Sequence, residues 1–221
     1  MAYSVKELFY TLQGEGAHSG RAAVFCRFTG CNLWSGREED REKAVCRFCD
    51  TDFVGTDGPG GGKFDTPQAL AEAVRERWAA GVGAAGGSAT SPRARPYVVC
   101  TGGEPLLQLD APLLAALHAA GFEVAVETNG TVEPPDGLDW ICVSPKSTAP
   151  LKLTRGHELK LVYPQADAPP ERFSHLDFQH FFLQPMDGIL QRQAMRQAAA
   201  YCMANPPWRL CLQTHKVVGF D

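Results

Sequence analysis

Cysteines at positions 31, 46 and 49, spaced CX14CX2C within CNLWSGREEDREKAVCRFCDTD, are the group in this chain best suited to metal chemistry. Structural cysteines usually sit in apolar surroundings, whereas these lie in a polar, charged stretch. Thiolates bind soft metals, and a CX2C pair lets one turn of backbone offer two sulfurs to one centre, so zinc and an iron–sulfur cluster are the candidates. The ligand count matters. A structural zinc site closes with four ligands, whereas a cubane held by three cysteines keeps one iron open to a substrate or cofactor. Cys26 sustains the zinc alternative, because Cys26-x4-Cys31 with Cys46-x2-Cys49 also reads as a four-cysteine ribbon. Against it, Val24, Cys26 and Phe28 share one face of the strand-like run VFCRF, with Phe25 and Arg27 on the other, which places Cys26 in a core. Spacing alone favours a cluster and leaves zinc open.

Other polar residues stand where backbone bends sharply. In TLQGEGAHSGR, Gly14, Gly16 and Gly20 rule out a helix, and Gln13 and Glu15 flank a glycine as an amide and a carboxylate, a layout suited to the donor and acceptor edge of a heterocycle. An ordinary glycine turn accounts for that loop as well. Arg27, off the face opposite Cys26, needs an anion if buried, either a ligand carboxylate or, more commonly, a structural salt bridge. In CTGGEP, Gly102 and Gly103 let backbone approach a ligand closely, and Glu104 can pair with an ammonium group.

The elements that position these residues alternate. YSVKELFY, RAAVFCRF, PYVVCT, FEVAVE, DWICV, HELKLVY and HFFLQ read as strands. Thr66 and Pro67 start a helix with Leu70, Val74 and Arg77/Trp78 on one face, expected to end before Gly81. Ala79 to Arg95 reads as a mobile small-residue connection. Asp110 and Pro112 open a second helix through Leu113, Leu114 and Leu117, and a last helix from about Ile189 to Met203 turns Leu190, Ala194, Met195, Ala198 and Cys202 inward. Strands separated by helices or long crossovers imply a parallel α/β sheet, whose ligand lies at the carboxyl ends of the strands. Those ends are Arg27, Thr101 with GGE, Glu127 with TNG, Ser144 with PK, Gln184 and Gln213 with THK, and so many polar ends on one rim point to an enzyme.

The 221 residues, 44% hydrophobic, suffice for one sizeable core and read as a single domain. Eight cysteines, clustered rather than evenly spread, fit reduced thiols better than a secreted disulfide framework. A net charge of -4 argues against nucleic-acid or membrane-surface binding, and a small-molecule partner is expected instead. With no membrane-length apolar run and no secretory segment in MAYSVKELFY, a cytoplasmic location is expected.

Together, the YTLQGEG loop, CNLWSGREEDREKAVCRFCDTDF, CTGGEP, ETNG, SPK, QPMDG and QTHK resemble the 7-carboxy-7-deazaguanine synthases nearly end to end. These are radical S-adenosylmethionine (SAM) enzymes of 7-deazapurine and queuosine biosynthesis. Most radical SAM enzymes carry CxxxCxxC, and a subset of this family carries the longer spacing found here. The resemblance implies a partial (β/α) TIM-like barrel with parallel strands, a trimmed radical SAM core spanning 1–221 with a cluster-loop insertion near 31–52. It implies that Cys31, Cys46 and Cys49 hold a [4Fe–4S] cluster whose remaining iron binds SAM. Phe48, Cys49 and Asp50 would border SAM, with Gly103 and Glu104 at its methionine end, Ser144, Pro145 and Lys146 at other polar groups, and Gln184, Pro185, Met186 and Asp187 closing over it. Leu12, Gln13, Gly14 and Glu15 would meet the pterin substrate, Arg27 its carboxylate, with Thr101 beside it and Thr51 on a Mg²⁺ ion.

The implied reaction is conversion of 6-carboxy-5,6,7,8-tetrahydropterin to 7-carboxy-7-deazaguanine with loss of ammonia. It would use SAM catalytically and a flavodoxin- or ferredoxin-type reductant, in a homodimer. By analogy with relatives whose terminus reaches the substrate, the carboxylate of Asp221 is expected at the pterin amino edge. His215 and Lys216 stand near the same rim, with a structural role as open as a catalytic one. A glycyl-radical activase would share the cluster and GGEP but act on a polypeptide, and Gln13-Gly14-Glu15 with Arg27 argue against it. A non-catalytic zinc module would give the polar strand ends no purpose.

Overall fold

A computed structural model describes residues 2–89 and 95–220. In chain order it contains β1 (Tyr3–Leu12), β2 (Ala22–Phe28), β3 (Gly62–Phe64), α1 (Pro67–Ala84), β4 (Tyr97–Gly102), α2 (Ala111–Ala119) and β5 (Glu123–Thr128). Then follow β6 (Trp140–Val143), β7 (Arg155–Tyr163), β8 (Asp177–Pro185), α3 (Gln191–Ala204), β9 (Trp208–Leu210) and α4 (Thr214–Val218). The strands form one sheet in the order β3-β1-β2-β4-β5-β6-β7-β8-β9. Its ends, β3 and β9, do not pair, so this is a partial barrel. From β2 onward every pairing is parallel. The exceptions to the expected parallel set are β1, antiparallel to β2, and β3, antiparallel to β1. A short loop without a helix joins β1 to β2, and a parallel pair would need a crossover. Among the described residues no helix is long and apolar enough to cross a membrane.

Side chains alternate across the sheet, so each strand has an outer face under the helices and an inner face. Outward go Val24, Cys26 and Phe28 of β2, Val98 and Cys100 of β4, Val124 and Val126 of β5, and Leu159 and Leu161 of β7. They pack with Leu70, Val74 and Trp78 of α1 and Leu113, Leu114 and Leu117 of α2 into the main core. Inward go Phe25 and Arg27, in register with Val99 and Thr101. Across β5 to β7 the inner face continues through Glu127, Cys142 and Glu158, with Lys160 two residues further along β7.

The helix starts match their sequence signals. Thr66 Oγ1 accepts from Ala69 N–H at 3.1 Å and Pro67 needs no donor partner, while Asp110 caps α2 through Leu113 N–H at 3.0 Å. The end of α1 does not match, because the helix runs through Gly81 to Ala84. A Cβ at Gly81 would stand 2.1 Å from Cγ of Tyr10, so this glycine admits close packing on β1 instead of stopping the helix. The terminator is Gly86, in the left-handed region at φ 76° just past the cap residue Ala85. The expected connection over 79–95 is therefore helical in its first part, and 90–94 lie outside the described residues. In α3, Ala194 and Ala198 are buried as expected, but Leu190 is 67% exposed. The helix begins at Gln191, so Leu190 is its non-helical cap and falls outside the periodic face.

Candidate active site

At the carboxyl ends of the strands lies a cavity of about 460 Å³. Its lining includes all the expected polar strand ends, Arg27, Thr101, Glu127, Ser144, Gln184 and Gln213. Cys31, Cys46, Phe48, Cys49, Asp50 and Thr51 form one wall. Leu12, Gln13, Gly14 and Glu15 line it too, as do Gly103, Lys146, Pro185, Met186 and Asp187. Glu104 and Pro145 stand behind the wall, and Asp221 lies outside the described residues.

Cys31 is delivered by the turn after β2, and the end of β4 packs directly on that turn. Glu104 N–H donates to Gly30 O at 2.9 Å, and a Cβ at Gly103 would stand 2.2 Å from the same oxygen. Gly102, at φ 125°, would set a Cβ 2.1 Å from Phe28 O. The two glycines of CTGGEP thus allow two backbones to meet beside Cys31. Glu104, with no exposed surface, accepts from Leu106 N–H at 3.0 Å, Thr128 Oγ1 at 2.8 Å and Asn129 N–H at 2.8 Å. Burial pushes its pKa up against the pull of these donors. Asn129 donates to Asn32 Oδ1 at 3.0 Å, so ETNG is tied to the residue following Cys31.

The cysteine loop has its own apolar nucleus, which charge content in the sequence obscures. Trp34 is 7% exposed and meets Phe53 edge to face at 5.6 Å. The Arg41 guanidinium lies 4.1 Å over the Trp34 ring and donates to Arg47 O at 2.8 Å and Cys49 O at 3.1 Å, bracing the CX2C turn. A hydrogen bond from the Cys46 thiol pulls the pKa of Cys49 down to about 6, and the same bond pushes Cys46 up. Burial raises Cys31. Cys26, 2% exposed, belongs to the core on the outer face, where it cannot join the other three. Among the described residues no three His, Cys, Asp or Glu side chains converge on a point where one metal ion would sit. Cys26 packs in the outer core while Cys31, Cys46 and Cys49 line the cavity, so the four thiols do not share one site.

A buried ion network lines the same cavity. Lys160 Nζ donates to Glu15 Oε2 at 2.5 Å and Glu127 Oε2 at 3.0 Å. Gln13 Nε2 donates to Glu127 Oε1 at 2.9 Å, and Gln213 Nε2 to Glu15 Oε1 at 3.0 Å. Burial alone would raise the pKa of Glu15, but the charge and hydrogen bond of Lys160 outweigh it and hold the carboxyl below its ordinary value. Burial likewise works to lower Lys160, and the neighbouring Cys142, with Glu127, Glu15 and Glu158, holds it well above its ordinary value. Sequence reasoning missed Lys160. Its signal was the charged pair Glu158 and Lys160, two residues apart on one face of β7 and interleaved with Leu159 and Leu161.

The segment after β9 covers this end. Thr214 N–H donates to Gly14 O at 2.9 Å, and a Cβ at Gly14 would stand 2.2 Å from His215 Nδ1. Lys216 Nζ bridges Asp50 at 2.9 Å and Asp187 at 2.5 Å, tying α4 to the cysteine loop and to the turn after β8. His215 and Lys216 both line the cavity. Also missed were Glu7, Phe9 and Phe25, which line it beside Arg27. Phe9 and Phe25 stack at 5.4 Å, and Arg27 Nε donates to Glu7 Oε1 at 2.6 Å.

No family model matches this chain. Curated relatives do, nearly end to end. The 7-carboxy-7-deazaguanine synthase of Bordetella pertussis is 64% identical over 219 residues, covering 99% of each chain. Those of Caulobacter vibrioides and Bacteroides thetaiotaomicron are 62% and 37% identical, with coverage of 99% of this chain in both cases and 99% and 98% of the relatives. The crystal structure of QueE from Escherichia coli superposes with a TM-score of 0.65 at 28% identity, over 96% of this chain and 94% of that one.

Proposed function

The chain belongs to the 7-carboxy-7-deazaguanine synthases, enzymes of the radical SAM family, and from that premise we propose that it converts 6-carboxy-5,6,7,8-tetrahydropterin to 7-carboxy-7-deazaguanine with loss of ammonia. It does so as one radical SAM domain over 1–221, in queuosine and 7-deazapurine biosynthesis. The observation that carries the reading is that one cavity is lined by three thiols, a buried polar network around Lys160 and an arginine.

The residues present fit the cofactors. Cys31, Cys46 and Cys49 are the cysteines among the described residues that line the cavity, and these three thiols would hold a [4Fe–4S] cluster. When bound, the cluster and SAM would supply the radical chemistry, and the protein's part would be to position the pterin and exclude side reactions. Phe48, Asp50, Gly103, Ser144, Lys146 and Gln184 to Asp187 line the cavity and would enclose SAM. Glu104 and Pro145 support that wall from behind. Thr51 lines the cavity and its hydroxyl would be a ligand for Mg²⁺, a cation that prefers hard oxygen donors. Gln13, Glu15 and Glu127 present alternating donors and acceptors to the pyrimidine edge of the pterin, held in place by Lys160. Arg27 takes the carboxylate beside Thr101. A flavodoxin- or ferredoxin-type protein supplies the electron, and the enzyme acts as a cytoplasmic homodimer.

The test is anaerobic turnover of the reconstituted enzyme with the tetrahydropterin, SAM, Mg²⁺ and a low-potential reductant. Formation of 7-carboxy-7-deazaguanine and ammonia is expected, and Arg27→Ala should raise KM while leaving uncoupled SAM cleavage intact. Cleavage of SAM with no pterin-derived product would overturn the substrate assignment.

A further inference from the structure

The partner of Arg27 has a role of its own. We propose that Glu7 is a positioning residue for substrate binding: it holds the Arg27 guanidinium by its Nε edge, so that the two terminal nitrogens face the cavity as a fork for a carboxylate. The inference rests on the pterin reading above.

The strand geometry is arranged for this contact. Tyr3 and Val5 of β1 face the outer core, so strict alternation would send Glu7 there as well. The register breaks between Val5, opposite Phe28, and Glu7, opposite Arg27, which leaves Lys6 as an extra residue in β1. Such a bulge re-aims the side chains that follow it. From there Leu8 takes the outer face, and Glu7 and Phe9 line the cavity. The bulge is itself anchored to the loop beyond the cysteines. Lys6 Nζ donates to Val54 O at 2.9 Å and pairs with Asp52 at 3.0 Å and Asp57 at 2.7 Å, while Gly58 N–H donates to Lys6 O at 3.0 Å.

At the site, Glu7 takes only Nε, at 2.6 Å, and the Arg27 guanidinium carbon lies 5.6 Å from the Phe9 ring centroid. Arg27's terminal nitrogens make no hydrogen bond to a described residue. Glu7 and Arg27 side chains are 24% and 21% exposed, so the fork is reachable from the cavity without being free to swing into solvent. A guanidinium fixed at one edge loses less freedom on binding and meets a carboxylate in the bidentate geometry it favours. Glu7 also balances the arginine's charge before substrate arrives, so recognition depends on the fork's orientation.

Equilibrium binding tests this. The probes are 6-carboxypterin and pterin without the carboxylate, read by their fluorescence on anaerobically reconstituted enzyme with SAM and Mg²⁺. Wild type should prefer the carboxylated probe. Glu7→Ala should weaken that probe by about tenfold to a hundredfold, the range for a hydrogen bond to a charged group, and leave plain pterin unchanged. Glu7→Gln keeps an acceptor for Nε and should stay within about threefold of wild type. Selective wild type with an unaltered Glu7→Ala would overturn the proposal, as would equal loss of both probes or a Gln variant as weak as Ala. Wild type that binds neither probe would overturn the pterin reading and this proposal with it.

Discussion

On β7, Leu159 faces the helices and Lys160 faces the cavity, and the two neighbours are equally hidden, at 0% and 3% exposed. What burial demands of them differs. Leu159 needs only apolar neighbours of matching volume, and the outer core supplies them. Lys160 must recover its hydration from specific partners, and it does so through Glu15, Glu127 and the groups that in turn hold those carboxylates. The same contrast runs along the carboxyl ends of the strands, whereas further down the inner face is filled by Ala23, Tyr97, Val99 and Ala125. One face is held by non-directional packing that tolerates exchange, the other by a network in which removing one member strands the rest.

The largest expected effect follows from the inner face. Lys160→Met leaves Glu15 and Glu127 buried without their cation, and should lower stability by about 3–5 kcal/mol, measured by denaturant unfolding. By disordering the pterin edge it should also cut turnover by about a hundredfold. Its pH dependence has a definite sign. Glu15 is held below its ordinary value of 4.5, so its contribution is complete above that value and fades as pH falls through the lowered folded-state value. Lys160 is held above 10.5, so its contribution is complete below that value and is lost as pH rises through the raised one. Lys160→Met should therefore flatten the wild-type decline at both the acid and the alkaline limits, and an unchanged pH–stability curve would contradict the network.

On the outer face, Leu159→Ala should cost about 2–5 kcal/mol while turnover per folded molecule stays the same. A comparable loss of turnover would erase the distinction between the faces. Gly81→Ala, which drives a methyl into Tyr10, should cost about 1–3 kcal/mol in the same unfolding assay. The smallest effect belongs to Gly83→Ala, where an added Cβ meets nothing within 4 Å. There a gain of about 0.5–1 kcal/mol is expected from the stiffer helical backbone.

This division also decided what could be read in the sequence. The outer face announced itself, because Val24, Cys26 and Phe28 share a face opposite the charged Arg27, and local signals such as Thr66-Pro67 and Asp110 marked the helix starts. The rim was legible as well, since packing gives an apolar strand no reason to end on a polar side chain, and every one of those polar ends reached the cavity. What escaped depended on neighbours distant in the chain. Gly81 reads as a stop unless Tyr10 is known to lie against it, and Leu190 reads as inward until the helix is seen to start one residue later. Glu7 was hidden by the bulge at Lys6, which reverses the alternation that the start of β1 establishes. Lys160 was visible as a charge inside a strand, but its value lies in partners 33 and 145 residues away.

Metal content in two cysteine variants tests the division most directly, because Cys26 and Cys31 are five positions apart and stand on opposite sides of it. Iron, sulfide and zinc would be measured after anaerobic reconstitution of wild type, Cys26→Ala and Cys31→Ala. About four irons and four sulfides are predicted for wild type and Cys26→Ala, with the cluster lost in Cys31→Ala. One tightly bound zinc in wild type that disappears in Cys26→Ala would contradict the account, since it would bring a residue of the outer core into a four-thiolate site.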